Sequence, residues 1–459
     1  MPAGIAFNSS EQPEGIQGAG NARVADGSQR VRLGLLGLHL IYFALLHGIY
    51  VYYLSRFWAY TGFIWAFDEQ KLALSIPIFA LYVYLIPVKP DARTIFLNIF
   101  ASLYLAPSLV LFTMAGKPVS SVAVISFSAF LVYAVSAIRL PPLKIFEARP
   151  VELIWLLACL SWALVLFFYL FGGFRYFNLN LSRVYEFREE ATEAVPLLFS
   201  YLSSIFSKII VLFGVLAAII YRKYLAAGVF IAASIVLFGL TSHKGIIFYP
   251  LFTVVIYYAL RRSLSYAAVL RLLIAALLLC FFDAFMYNEV GDSSFWGWFA
   301  SLFVRRGLML PPLLDYFHID FFWTNPRYFW ADSKISLGLV RNPYGISSPY
   351  LIGQMYFGDP TMGANTGFIG SGFAQAGYFG STLYSIGVGL ALALINAHAK
   401  RQGVPFVTAL MASQVMTMFV SSDFVTLFIN HGLLFAFLLL GVIGSPEPER
   451  PTGRTLAAA

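Results

Sequence analysis

GANTGFIGSGFAQAGYFG (363–380) sets six glycines into eighteen residues and runs straight into the apolar STLYSIGVGLALALINA (381–397), closed by the basic HAKR (398–401). From Tyr378 to Ala397 the run has the length of about 20 residues that a helix needs to cross a hydrocarbon core. The cations behind it are where a cytoplasmic border belongs. The glycines in front need a separate reason. They form no nucleotide loop, because GxxxxGK[ST] is missing and Gly370-Ser-Gly372 lacks the third glycine of GxGxxG. Two readings stay open. Small residues at this spacing let helices approach closely, and bare backbone beside Asn365, Thr366 and Gln375 can meet a sugar ring with hydrogen bonds.

The rest of the chain repeats the apolar pattern. It has 459 residues, 59% hydrophobic and 11% charged, with a mean hydropathy of +0.77. That composition belongs to polytopic membrane proteins. Twelve apolar runs can be marked: 33–54, 72–88, 94–115, 120–138, 152–173, 196–220, 225–241, 246–260, 264–286, 378–397, 404–421 and 424–443. The expected fold is thus all-α, a polytopic integral membrane protein of about twelve helices. The short alternating segments of an outer-membrane barrel are absent.

With the N-terminus inside, the cytoplasmic segments hold Arg30, Arg32, Lys89, Arg93, Arg139, Lys144, Arg149, Arg222, Lys223, Arg261, Arg262, Lys400 and Arg401. The short outer connections keep only Arg56, Lys71, Lys117 and Lys244. Both termini are therefore expected in the cytoplasm. Residues 1–29 read as a disordered tail with no cleavable signal, and 446–459 as a second tail. Between them lie spans one to nine (30–286) and ten to twelve (378–445). The net charge of +8 comes from these small clusters, so no nucleic-acid partner is expected. Cys159 and Cys280 sit in apolar runs and define neither a disulfide framework nor a metal site.

Two outer segments exceed connector length, 174–195 and the long loop 287–377, and loops of that size usually carry function. The first, with Arg183 and Arg188 among Glu186, Glu189 and Glu190, reads most simply as an amphipathic surface helix. In the second, SSFWGWFASLFVRRGLMLPPLLDYF (293–317) places Arg305 and Arg306 behind an aromatic stretch. These arginines either snorkel from an interfacial belt helix or grip a pyrophosphate bidentately. LTSHKG (240–245) puts His243 and Lys244 at the outer end of two spans, where ionisable groups are costly and read as functional. Lys208 and Asp283 are ionisable groups of the same kind inside spans six and nine. There is no HExxH, no DxD in an outer loop, no GxSxG elbow and no Cys/His pair. Neither a metal nor a cofactor is expected.

SHKGIIFYPLFTVVIYYALRR (242–262), FWADSKISLGLVRNPYGISSPYLIGQMYFGD (329–359) and GANTGFIGSGFAQAGYFGSTLYSIGVGL (363–390), in this order, resemble the bacterial oligosaccharide repeat-unit polymerases, the Wzy-type O-antigen polymerase family. The resemblance implies an inner-membrane glycosyltransferase. Such an enzyme moves a glycan from undecaprenyl pyrophosphate to the non-reducing end of another lipid-linked repeat unit, at the periplasmic face and without metal. It implies a lipid-linked oligosaccharide as substrate and a chain-length regulator as a possible partner. On that reading Arg305, Arg306, Lys244 and Arg341 are candidates for the pyrophosphate, and His243 and Asp332 for the proton of the acceptor hydroxyl. Asn365, Gln375 and Tyr344 are candidates for the glycan. Three rivals stand beside it. They are a flippase of lipid-linked sugars, an O-antigen ligase, and a polyprenyl-phosphate-dependent glycosyltransferase using Asp68 and Glu69 of WAFDEQ.

Overall fold

A computed structural model describes residues 14–171, 177–179, 197–241, 245–263, 265–291 and 295–444. Among the described residues the twelve apolar runs are mainly helical, the last of them in two pieces. They correspond to α1 (Glu14–Ile49, continued by a π-helical turn Tyr50–Leu54), α2 (Glu69–Leu85), α3 (Ala92–Met114), α4 (Val119–Val135), α5 (Pro150–Leu170), and α6, which passes from Leu197–Ile205 through a π-turn at Phe206–Ile210 into Val211–Ile220. Next come α7 (Tyr224–Thr241), α8 (Gly245–Arg262) and α9 (Tyr266–Val290). The long segment that follows contributes α10 (Leu310–Thr324), entered through a π-helical stretch Ser301–Met309, and α11 (Ser348–Phe357). The chain ends with α12 (Phe368–Gln402), α13 (Val404–Val420), α14 (Phe424–Ile429) and α15 (Leu433–Val442). Among the described residues, eight helices are long and apolar enough to cross a membrane. No strand forms among the described residues, only isolated bridges such as Ala66 with Ala115. The chain is already helical from Glu14, inside the stretch expected to be a disordered tail. Residues 180–195, with Arg183 and Arg188, and the tail from 445 onward lie outside the described residues.

Side-chain contacts give the bundle two ends of different character. At one end Arg32 lies over the Tyr84 ring, Arg93 donates to Ser136, and Arg401 pairs with Glu147. We call this the basic end. At the far end Ala66 N donates to Met114 O, Lys71 Nζ to Lys117 O, and the Tyr53 hydroxyl to Gly297 O. The segment 295–367 packs at the far end. Asp283 fixes its start, with one carboxylate oxygen on Gly297 N (3.0 Å) and the other on Ala300 N (2.8 Å). This buried acid therefore caps the first turn of the 298–324 helical stretch, satisfying N–H groups that would otherwise be orphaned.

α12 is a hairpin. Ala376 (φ −150°) and Gly377 (φ 61°, ψ −138°) leave helical geometry. In an uninterrupted helix residues eight apart stand about 12 Å apart along the axis. Here the backbones of Gly372 and Gly380 touch, and Ser381 Oγ donates to Ile369 O at 2.9 Å. A short arm, 368–375, thus folds back along the start of the long arm. Its first residues reach into the bundle, with Phe368 packed against the paired rings of Phe100 and Phe419. The glycines make this possible: Gly367 lies against Phe419 O, Gly370 against the Asp315 carboxylate, and Gly372 against Gly380. No side chain fits at these contacts.

Candidate functional site

The hairpin turn and the loop 325–347 build one site between them. Tyr328 N and Phe329 N donate to Ala374 O and Gln375 O, which fixes the loop on the end of the short arm. The Gln375 side chain repeats the contact. Its Oε1 accepts from Trp330 N (2.7 Å), and its Nε2 donates to Asp332 Oδ1 (3.0 Å). Asp332 Oδ2 accepts from Ser348 N at 3.2 Å, where α11 begins. From Trp330 the chain of hydrogen bonds continues through its indole N–H to Tyr384 OH (2.9 Å) and on to Asp423 Oδ2 (2.7 Å). Phe329 (φ 47°) and Trp330 (φ 62°) both adopt left-handed backbone, uncommon for bulky side chains. Such strain persists only where surrounding bonds enforce it, and here Gln375 supplies them.

Arg327 enters this site from the other side. Its guanidinium lies over the reversal, so close that a Cβ on Gly377 would stand 2.7 Å from Cζ, and 5.8 Å from the Phe373 ring centre. Trp323 stacks on Phe373 at 5.7 Å, and Tyr378 meets both rings edge-on. Trp323 and Tyr378 remain exposed. The buried Nε of Arg327 has no hydrogen-bond partner, and no carboxylate pairs with the group among the described residues. A guanidinium with a buried, unpartnered Nε and no counter-ion among the described residues, beside open aromatic faces, is suited to an anion carrying an apolar or sugar group.

A second cation stands on the turn before α4. Lys117 Nζ lies 4.7 Å from the centre of the Phe317 ring, which stacks on Tyr356, and the Tyr356 hydroxyl donates to Asp320 (2.5 Å). Burial pushes the Lys117 ammonium down to about 8, while Asp320 opposes the shift.

Beneath α10, Asp315 is fully buried. It accepts from the hydroxyls of Tyr104 and Thr366 and, at 2.6 Å, from Gly370 N in the first turn of the short arm. Burial pushes its carboxyl up to about 6 against these three donors. A carboxylate at this position complements the positive end of the arm, so Asp315 anchors the hairpin that carries the site.

The expected site residues divide accordingly. Asp332 and Gln375 come together, but Gln375 is buried and both ends of its amide are engaged by the protein. Tyr344 is a strut: its hydroxyl donates to Pro326 O, and its ring packs on Phe321, Phe322 and Tyr328. Asn365 is exposed at the entrance to the short arm, and Arg341 and Arg306 are exposed on the loop surface. Arg305 is held elsewhere. Its guanidinium stacks 3.6 Å above the Trp58 ring, with Nε on Ser301 Oγ, which is the arrangement expected of an interfacial arginine. His243 and Lys244 lie outside the described residues. Lys208 meets His431 Nδ1 at 2.9 Å, beside the π-turn of α6. Arg327, Lys117 and Asp315 were missed in the sequence because no motif marks them. Arg327 did carry one signal, as a cation of the long loop a few residues before the strained Phe329–Trp330 pair. Comparison with protein families, curated proteins and solved structures finds no match.

Proposed function

We propose that this protein is a multi-pass membrane glycosyltransferase that polymerises oligosaccharide repeat units carried on undecaprenyl pyrophosphate. The observation that carries the reading is Arg327, an unpaired guanidinium on the α12 reversal flanked by the exposed rings of Trp323 and Tyr378. In the reaction the acceptor hydroxyl oxygen attacks the anomeric carbon of the donor glycan. The bond from that carbon to the pyrophosphate oxygen breaks, the pyrophosphate leaves with the electron pair, and a base takes the hydroxyl proton. Fixed cations stabilise the charge building on the leaving group. Arg327 fits that role by geometry; Lys117, and Arg305, Arg306, Arg341 and Lys244 from the sequence reading, supply further positive charge in the far-end segments. Asp332, held by Gln375 and Ser348, is the proposed base, with His243 as the other candidate. Trp323 and Tyr378 would stack on sugar faces, with Asn365 at the rim.

The proposed topology has twelve spans; the clustering of cations at the basic end supports both termini in the cytoplasm and the far end in the periplasm. This arrangement belongs to a bacterial inner membrane, where a chain-length regulator would be the protein partner. The rival flippase reading has one observation in its favour, because a half-helix ending inside a bundle is a transporter device. In this protein, however, the arm's N-terminal turn is occupied by the chain's own Asp315. The test is the lipopolysaccharide ladder of a deletion strain. A core bearing one repeat unit supports the polymerase; complete loss of O-antigen would overturn it in favour of a ligase or flippase.

A further inference from the structure

The basic end holds a cavity that the polymerase reading does not use. It has a volume of about 680 Å³ and lies where the α2–α3 connection, the α4–α5 connection and the last turns of α12 meet. Lys89, Arg93, Arg139, Lys144, Lys400 and Arg401 line it. Asp91 is the one carboxylate among the lining residues, and its oxygen is already engaged by Thr94 N at the start of α3. Two of the cations are fixed in place. Arg93 donates to Ser136 Oγ (2.9 Å) and Tyr133 O (3.2 Å) and lies over the Tyr133 ring. Arg401, its side chain 13% exposed, donates to Glu147 (2.7 Å). The loop forming the third wall is ordered by three bonds, Leu143 N to His398 Nε2, Ile145 N to Gly441 O and Ala148 N to Val442 O. Lys89, Arg139, Lys144 and Lys400 are exposed and form no ion pair among the described residues.

The positive-inside bias accounts for cations at this end, but not for their convergence. It scatters charge over connections; it does not draw six cations from three of them around one concavity. Arg261 and Arg262, at the end of α8, show the ordinary case: two cations from one helix end lining a smaller recess of about 460 Å³ with Tyr258 and Ala259. We propose that the cavity is a binding site for a phosphate-bearing anion at the membrane surface, the headgroup of an anionic phospholipid. Guanidinium forks and ammonium groups match phosphate oxygens, and basic pockets between helix ends on this side of a membrane take such headgroups. The volume exceeds what one phosphate needs and suits a headgroup with two. A soluble diphosphate shares that chemistry, so the test separates the two sources.

The full-length protein is reconstituted in phosphatidylcholine nanodiscs. Binding of diphosphatidylglycerol is measured by native mass spectrometry, and inorganic pyrophosphate is titrated in parallel as a thermal shift. The variant combines Arg139→Gln, Lys144→Gln and Lys400→Gln, side chains that make no hydrogen bonds among the described residues. The control is Arg261→Gln with Arg262→Gln. Each Lys or Arg beside an anionic headgroup contributes about fivefold in affinity, so the triple variant should bind the lipid about a hundredfold more weakly. The control should match wild type. Cavity-dependent binding of pyrophosphate without lipid binding would assign the site to a soluble phosphate. Wild-type affinity for both probes in the triple variant, or an equal loss in the control, would overturn the proposal.

Discussion

Gly372 and Gly380 face each other across the reversal of α12. A Cβ on Gly372 would stand 2.8 Å from the carbonyl oxygen of Gly380, and one on Gly380 would collide with the carbonyl of Gly372. Backbone on both sides leaves nothing flexible to yield, so the arms must separate if a methyl group enters. Overpacking of this kind costs roughly 1–3 kcal/mol, and a backbone neighbour places it at the upper end. Gly380→Ala should therefore lower the melting temperature of the detergent-purified protein clearly. Gly37→Ala in α1, where a Cβ would meet nothing within 4 Å, should leave it unchanged or raise it. Equal melting of the two variants would argue against a hairpin.

Asp315 holds the other end of the short arm, and its ionisation makes the fold sensitive to pH. In the fold its carboxyl stays protonated up to about 6, against 3.8 for the free side chain. Between these values the folded state binds more protons than the unfolded one, so stability falls as pH rises through this window. The shift of about two units corresponds to about 3 kcal/mol in order of magnitude. Asp315→Asn removes the titration but keeps the shape and the acceptor for Gly370 N. The buried histidines titrate alike in both proteins, so the wild type should lose melting temperature relative to Asp315→Asn as pH rises from 4 to 6.5. Parallel curves would remove Asp315 as the source.

The all-helical, membrane-spanning character was legible in the sequence because hydropathy is summed over some twenty residues, and no single contact decides the outcome. The hairpin was not, since Phe368 to Gln402 is apolar and helix-compatible throughout and only Ala376–Gly377 interrupts it. Its visible trace was the glycine density at 363–380, where close packing and a binding floor were both open readings. The reversal accounts for the packing. Asp283 looked functional as an ionisable group in an apolar run and proves to be a cap. Asp315 was hidden in LPPLLDYF, a stretch that reads as interfacial until Tyr104, Thr366 and Gly370 are brought against it from three remote parts of the chain. Contacts this long-range leave no local signature.

Lys117 offers a direct reading of the far-end electrostatics. Burial lowers its pKa from 10.5 to about 8, with Asp320 opposing. Between these two values the folded state carries fewer protons than the unfolded one, so this group's contribution to stability grows as pH rises from 8 to 10.5. Competitive acetylation read by mass spectrometry should find Lys117 half-reactive near pH 8. Asp320→Asn removes the opposing charge and should move that midpoint lower still. A midpoint that rises in the variant would show that the carboxylate does not act on Lys117.

Arg327 separates the catalytic reading from a structural one. If its guanidinium stabilises charge on a departing pyrophosphate, its loss removes one preorganised donor, a cost of about 3 kcal/mol or roughly a hundredfold in rate. Arg327→Lys keeps the charge but loses the planar fork over Gly377 and Phe373, so it should recover only part of the activity. Arg305 makes the comparison informative. Its stacking on Trp58 is a stabilising contact of about 0.5–2 kcal/mol, so Arg305→Ala should lower the melting temperature and affect polymer only through the amount of folded protein. Arg306, exposed on the same turn, separates charge from packing: Arg306→Ala should melt as wild type. The measurement is the O-antigen ladder of each variant at matched protein levels, with melting followed in parallel. Short ladders from Arg327→Ala with normal melting would support the assignment to the leaving group. Full ladders from both Arg327 variants would remove it, and shortened ladders from Arg305→Lys and Arg306→Ala would transfer the role to that pair.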